Sequence, residues 1–349
     1  MGRLETKLHN MDVGGGKITE LFLLGAGASM DAGLPDSKGL LRSIKEAVPE
    51  KMRGLIESVI TIFPKNSEHN IESFFDFFNK LIDGDIYPLL DEKHRANLDP
   101  EKAKELSEKY QQLVVDCLIA TQKKAISNNL FDYLLPLIRY AQNNNVPIAT
   151  LNYDNSIEIL CNTNNVSYSE CQLGVSPFRT DVNLLKLHGS LSWDGGENQP
   201  PSILKYPEVD VIKTSGKPKK ILFAGRKATT EEPFFGLMVT FYQMFFNLEN
   251  LYVIGYSFSD WHVNLFIERW ISAIYGHFLM SLSGELEFEK RMVIISPDCD
   301  QKTQELIKRA LRLEKLQFPE IHNLFFEKFF IFHQMTAKQF LDNNLLAER

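Results

Sequence analysis

The sequence is poor in cysteine and has no long apolar run, and each shortage excludes a class of protein. Its four cysteines, Cys117, Cys161, Cys171 and Cys299, form no C-x-x-C pair, so we expect neither a zinc ribbon nor a redox motif. No apolar run reaches the roughly 18 residues of a transmembrane helix, and no secretory signal is present. We therefore expect a protein of the reducing cytoplasm with no membrane contact and no metal.

An excess of positive charge is also absent. The chain has 38 basic and 45 acidic residues, a net charge of −7, so direct binding of nucleic acid is not expected. With 44% hydrophobic and 24% charged residues over 349 positions, the composition is that of a globular protein of about two domains.

Five short apolar runs predict buried strands, at 20–25, 146–152, 183–189, 251–257 and 291–297. Runs with helical spacing of apolar residues separate several of them. Alternating strands and helices predict an α/β fold, a Rossmann-like, mainly parallel sheet with helices on both faces.

The region from about Leu40 to Asn145 has helical periodicity throughout, which predicts a layer of about five helices. Its phenylalanines at 74, 75, 77 and 78 are expected in the core. We assign 18–39 and 146–349 to the Rossmann-like domain and 40–145 to a helical insertion. The late run "FFEKFFIFHQM" suits a helix or an edge strand.

Each predicted strand is followed by small or polar residues. They are Gly25 to Ser29, Asn152 to Asp154, His188 to Ser190, Gly255 to Ser257, and Ser296 to Asp298. Ligands of open parallel sheets bind at the carboxyl ends of the strands. We therefore expect these five regions to meet in one crevice.

The stretch "LFLLGAGASMDAGLPDS" at 21–37 combines a strand with a glycine-rich turn. Such a turn lets backbone amides approach a pyrophosphate, and Ser29 could donate to a phosphate oxygen. The alternative is a turn whose glycines serve packing alone. Because Met30 interrupts the G-x-G-x-x-G pattern, the turn suggests a dinucleotide or an ADP-ribose moiety without hydride transfer.

Four motifs in order resemble those of sirtuins. They are "GAGAS" with "AGLPD", "LNYD" at 151–154, "KLHGSL" at 186–191 and "GYSFSD" at 255–260. More narrowly, the chain resembles bacterial sirtuin-like NAD hydrolases of antiphage defence. It departs from sirtuin deacylases in lacking their paired C-x-x-C zinc module and in having Ser37 and Lys38 where they have Phe and Arg. Both departures favour water over a protein lysine as the acceptor.

The resemblance implies roles for individual residues. Asn152, Asp154 and His188 would be catalytic, with His188 as general base. NAD would be bound by Gly25, Ala26, Gly27, Ser29, Asp36, Gly255, Ser257 and Asp298. Structural alternatives stay open: a turn-stabilising Asn152, a helix-capping Asp154, a core His188 and a turn-forming Asp298. The next candidate histidine, His262, is expected to cap or pack a helix start.

The function implied is an NAD glycohydrolase that releases nicotinamide and ADP-ribose, with NAD as substrate. In the family this activity is gated, so a homo-oligomer or a partner such as a DNA-translocating hexameric ATPase or another defence protein is expected. Two other functions stay open: a sensor that binds NAD or ADP-ribose without turnover, and an NAD-dependent deacylase or ADP-ribosyltransferase.

Overall fold

The structure is a computed structural model. It describes residues 18–48, 50, 70–86, 92, 99–170, 182–195, 202–203, 219–222, 233–282, 289–297, 301–311 and 319–343. Asp298, Cys171, Cys299 and residues 51–69 of the predicted helical region lie outside these ranges.

A seven-stranded parallel sheet organises the chain. Its strand order is β10-β9-β8-β1-β2-β4-β3, and every neighbouring pair is parallel. The strands are β1 (Glu20–Leu24), β2 (Ile148–Thr150), β3 (Tyr168–Glu170), β4 (Val182–Lys186), β8 (Asn250–Ile254), β9 (Arg291–Ile295) and β10 (Phe330–His333). From the central β1 the chain winds to β2 on one side and later to β8 on the other, which creates a topological switch point beside β1.

Helices cover both faces of this sheet. Along β1, Leu21 and Leu23 point into one apolar cluster, whereas Phe22 and Leu24 point into another, because successive side chains of a strand face opposite ways. The first cluster includes α7 (Phe234–Met244), α8 (Trp261–Ser281), α9 (Gln301–Leu311) and α10 (Pro319–Phe329). The second includes α5 (Leu135–Asn144), α6 (Ser156–Thr163) and α11 (Ala337–Asp342). The predicted fold class is confirmed.

A separate helical layer has its own core. Its helices are α2 (Ser37–Ala47), α3 (Ile71–Ile82) and α4 (Pro100–Ser127). The four phenylalanines of α3 are all buried there, as predicted. Two residues of the sheet domain, Tyr153 and Leu191, belong to the same cluster, so the two regions share a packed interface. Helix α5 packs on the sheet, and the domain boundaries assigned from the sequence stay a prediction.

Two local features complete the fold. A small antiparallel sheet of order β6-β5-β7 contains β5 (Gly189–Asp194), β6 (Ser202–Ile203) and β7 (Lys219–Ile221). The run at 325–335 forms both expected structures in succession, the end of α10 and the edge strand β10. Among the described residues, no helix is both long enough and apolar enough to cross a bilayer.

Candidate functional site

The glycine turn after β1 packs directly against the turn after β8. A Cβ on Gly27 would lie 2.7 Å from the Cα of Gly255, and one on Gly255 would lie 2.2 Å from the Ala28 nitrogen. Gly255 also has φ +64°, a conformation that glycine adopts without steric cost. Gly27 and Gly255 therefore allow the two turns to pack closely. Packing was the alternative that the sequence analysis left open for the turn after β1.

This packing occupies two backbone amides of the turn that could otherwise donate to a phosphate. The Gly27 amide donates to the Gly255 carbonyl at 2.9 Å, and the Gly25 amide donates to Ile254 at 3.0 Å. The helix that follows, α1 (Gly27–Met30), is a single turn, so it offers little of the dipole that a longer helix would provide. The amides of Gly25 and Gly27 are therefore used within the protein, and a role for this turn in binding a phosphate stays a prediction.

A cavity of about 350 Å³ opens at the carboxyl edge of the sheet, beside these two turns. Its wall contains ten of the eleven residues proposed from the sequence: Gly25, Ala26, Gly27, Ser29, Asp36, Asn152, Asp154, His188, Gly255 and Ser257. The eleventh, Asp298, lies outside the described residues, although Ser296 and Pro297 before it also line the cavity. Five regions of the sequence thus meet in one place.

Ser29 joins two polar side chains of the cavity wall. Its hydroxyl donates to Asp154 Oδ2 at 2.9 Å and accepts from Asn152 Nδ2 at 3.1 Å. The Asn152 backbone amide donates to Thr150 Oγ1 at 3.0 Å. These bonds orient the Asn152 amide so that its oxygen remains a potential acceptor for a ligand.

Asp154 also anchors the helix behind the cavity. Its Oδ1 accepts from the Ser156 amide at 3.0 Å, so it acts at the start of α6 as well as in the cavity wall. The buried Lys186 ammonium donates to the Asp154 backbone carbonyl and lies 3.2 Å from Glu158 Oε1. A paired cation beneath the site thus fixes the backbone that presents Asp154.

His188 lies in the turn between β4 and β5 with only 3% of its surface exposed. The following Gly189 has φ +82°, and a Cβ there would lie 2.1 Å from the Lys220 carbonyl oxygen. His188 Nε2 contacts Asp260 Oδ2 at 2.7 Å. Burial alone would lower the pKa of His188, but the hydrogen bond and charge of Asp260, together with the charge of Glu72, raise that pKa above its ordinary value.

The helical layer supplies part of the cavity wall. Glu72, in the first turn of α3, lines the cavity and accepts a hydrogen bond from Ser37 Oγ at 3.3 Å. Tyr153 stands between Asn152 and Asp154, packs in the core of that layer and donates its hydroxyl to the Leu222 carbonyl at 3.0 Å. Tyr153 therefore connects the core of the helical layer to Asn152 and Asp154, the polar residues on either side of it in the chain.

The remaining proposed residues occupy the rim. Asp36 caps α2 by accepting from the Gly39 amide at 2.7 Å, and Lys38 follows it on the same wall. Ser257 is exposed, and its hydroxyl lies 3.0 Å from that of Ser259. His262 is not in the cavity wall. Its amide donates to Asp260 Oδ1 at the start of α8, so its expected place at a helix start is confirmed.

Sequence reasoning missed Asp260 and Glu72 as cavity residues. Asp260 had a usable signal, because an aspartate directly before an apolar-periodic segment is a typical helix N-cap, and it ends the motif "GYSFSD". Glu72 had none, since its approach depends on how the helical layer packs. Within the described ranges, no group of three or more His, Cys, Asp or Glu side chains is arranged to hold a metal.

Comparison with known proteins finds one family model and several solved structures to which the chain is similar. Residues 147–315 match the family model of the SIR2-like domain. This SIR2-like segment contains Asn152, Asp154 and His188, whereas the glycine turn precedes it. No curated protein sequence matches the chain significantly.

Two solved structures of Sir2 homologues align with the chain. A triple mutant in complex with 2′-O-acetyl ADP ribose has 12% identity, covers 97% of this chain and 93% of its own, and gives a TM-score of 0.44. A single mutant in complex with ADP ribose has 12% identity, covers 88% of this chain and 97% of its own, and gives a TM-score of 0.38.

Proposed function

We propose that the protein hydrolyses NAD to nicotinamide and ADP-ribose. The observation that carries this proposal is the meeting of Ser29, Asn152, Asp154 and His188 in one cavity. The cavity lies at the carboxyl edge of a parallel sheet, where Rossmann-like proteins bind their ligands. The match of 147–315 to the SIR2-like domain supports a ligand of the NAD or ADP-ribose type.

The reaction requires cleavage of the bond between nicotinamide and ribose. Loss of nicotinamide builds oxocarbenium character on the ribose, as in glycoside hydrolysis. In our proposal the Asn152 amide orients the ribose hydroxyls or the attacking water, and the Asp154 carboxylate stabilises the positive charge. Ser29 joins the two residues at 2.9 and 3.1 Å, so the pair is preorganised before substrate arrives.

His188 is the proposed general base. It accepts a proton from a ribose hydroxyl or from water as the bond to nicotinamide breaks. The neighbouring carboxylates Asp260 and Glu72 raise its pKa, so they also stabilise the imidazolium that forms.

Water is the proposed acceptor. Ser37 and Lys38 line the cavity at the positions where the resemblance to deacylases would place an aromatic and an arginine. A small hydroxyl side chain and a flexible ammonium shield the reacting carbon from water less well than those residues would.

Binding without turnover is the second candidate function. The raised pKa of His188 favours the protonated ring, which cannot accept a proton. A sensor of NAD or ADP-ribose would need the cavity and the glycine turn, but it would not need His188 as a base.

By its resemblance to defence NAD hydrolases, we further propose that the chain depletes NAD during bacterial antiphage defence. Uncontrolled loss of NAD would be toxic, so we propose control by self-assembly or by a partner. The interface between the helical layer and Tyr153 is a place where such an event could change the site.

Incubation with NAD, followed by chromatography of nicotinamide and ADP-ribose, tests the proposal. The protein is assayed over a range of concentrations, with its mass in solution measured in parallel, and with and without an acetylated peptide. Hydrolysis predicts equal amounts of nicotinamide and free ADP-ribose without peptide. A requirement for peptide selects a deacylase, and binding without turnover selects a sensor.

Matched variants separate catalysis from folding. Asn152→Ala and His188→Ala should abolish turnover while circular dichroism shows a folded chain. Asn164→Ala, near the end of α6, and His277→Ala, on the exposed face of α8, lie outside the cavity wall and should retain wild-type turnover.

A further inference from the structure

Asp260 and His188 form a nearly buried pair at the cavity wall. The distance between Asp260 Oδ2 and His188 Nε2 is 2.7 Å, and their side chains are 9% and 4% exposed. At this distance and burial, the hydrogen bond is strong and poorly accessible to competing water.

The Asp260 carboxylate is held independently of the histidine. It caps α8, and its Oδ1 accepts from the His262 amide at 2.8 Å and the Val263 amide at 3.2 Å. The Tyr256 hydroxyl donates to the Asp260 backbone carbonyl at 3.0 Å. Because Oδ1 accepts the two amide hydrogen bonds at the start of α8, Oδ2 is the oxygen that contacts His188.

This arrangement decides which nitrogen of His188 is available. In a neutral imidazole one nitrogen carries the proton and the other accepts one. An ionised carboxylate only accepts, so contact with Asp260 places the hydrogen on Nε2 and leaves the lone pair on Nδ1.

Building on the proposed function, we infer that Asp260 is a positioning residue that fixes the tautomer and orientation of His188, so that Nδ1 is the proton acceptor. In the proposed step, the O–H bond of a ribose hydroxyl or of water breaks and an Nδ1–H bond forms. The oxygen attacks the ribose carbon, and the electron pair of the breaking C–N bond leaves with nicotinamide. Asp260 stays ionised and stabilises the imidazolium.

The charges around the pair agree with this assignment. The groups that face His188 are Asp260 itself, Glu72 from α3 and the Tyr153 ring at 6.4 Å. The Tyr256 phenol donates to the Asp260 backbone carbonyl. Burial raises the pKa of both phenols far above its ordinary value, so they stay neutral. Although burial opposes it, the hydrogen bonds from His188 and His262 hold the pKa of Asp260 well below its usual range.

Two substitutions test the role of Asp260. Asp260→Asn retains the cap oxygen but places an amide NH₂ against Nε2, which forces the hydrogen onto Nδ1. Asp260→Ser retains a capping hydroxyl for α8 and removes the partner of the histidine. Asp99→Asn is the matched control, because Asp99 caps α4 in the same way and does not line the cavity.

The assay measures kcat and KM for NAD across pH, together with an NMR titration of the His188 ring assigned by comparison with His188→Gln. Both Asp260 variants should lower kcat by about 100-fold to 10,000-fold, the range seen for misoriented catalytic histidines. KM should change less than threefold, and the titration midpoint of His188 should fall. Asp99→Asn should match the wild type in kcat, in KM and in the titration midpoint of His188.

The outcomes separate this inference from the proposed function. Wild-type kcat in Asp260→Asn, or an unchanged His188 midpoint, overturns the role of Asp260. If the wild type does not turn over NAD at any protein concentration while the midpoint still falls in both variants, the hydrolase proposal fails and only the pairing of Asp260 with His188 stands.

Discussion

Replacing Ser29 with alanine should impair the site more than it destabilises the fold. Ser29 is 2% exposed, and its hydroxyl donates to the Asp154 carboxylate at 2.9 Å while it accepts from the Asn152 amide at 3.1 Å. A hydrogen bond to a charged group contributes about 1.5–3 kcal/mol and a neutral one about 0.5–1.5 kcal/mol. Both partners face the cavity, so water replaces part of this loss.

We therefore expect Ser29→Ala to raise the barrier to NAD cleavage by about 2 kcal/mol, which corresponds to a loss in kcat/KM of about 30-fold. Steady-state kinetics measure this loss, and urea unfolding should show a destabilisation of about 1 kcal/mol. Ser192→Ala is the control: Ser192 is 3% exposed, its hydroxyl lies 2.9 Å from that of Ser190, and it does not line the cavity. A kcat/KM within twofold of the wild type in Ser29→Ala would refute the proposed coupling of Asn152 and Asp154.

Four further outcomes are expected. Turnover should rise with pH through a midpoint above 6.5, because His188 must lose a proton and its pKa is raised from that value; a flat profile between pH 6 and 9 would argue against His188 as the base. Since that pKa is higher in the folded state, the same pair should stabilise the fold below about pH 6.5, and unfolding scans should show this stability lost as pH rises through the folded pKa. Gly255→Ala should lower the melting temperature strongly through its 2.2 Å clash, whereas Gly33→Ala, at φ +86° with nothing within 4 Å, should cost only about 1 kcal/mol of strain; equal effects would show that the clash is relieved. Tyr153→Phe should lower the free energy of unfolding by about 1 kcal/mol through loss of its bond to Leu222, and urea titration would contradict this if the midpoint did not move.

Local pattern was enough to predict five of the seven strands of the parallel sheet, because each of those five is a short apolar run. In β1 the residues Leu21 to Leu24 are all buried, because helices pack on both faces of the sheet. A strand buried on both faces has a continuous apolar run in its sequence. The small and polar residues after the strands predicted the cavity, since parallel strands bring their carboxyl ends to one edge.

The contacts that local sequence patterns did not predict are those that depend on tertiary packing. The amides of Gly25 and Gly27 donate to carbonyls at the end of β8, a contact between positions more than two hundred residues apart that no local pattern predicts. Glu72 enters the cavity only because α3 packs beside α2. His188 was identified from its strand-end setting, but its partner Asp260 depends on the placement of α8.

Calorimetric titration with ADP-ribose tests most directly whether these residues form one dinucleotide site, because binding does not require an activated state. We predict one ADP-ribose per chain, displaced by NAD and abolished in Ser257→Trp, where an indole on an exposed rim position fills the cavity without disturbing the core. Absence of binding to the folded wild type, or binding that Ser257→Trp leaves unchanged, would contradict the account.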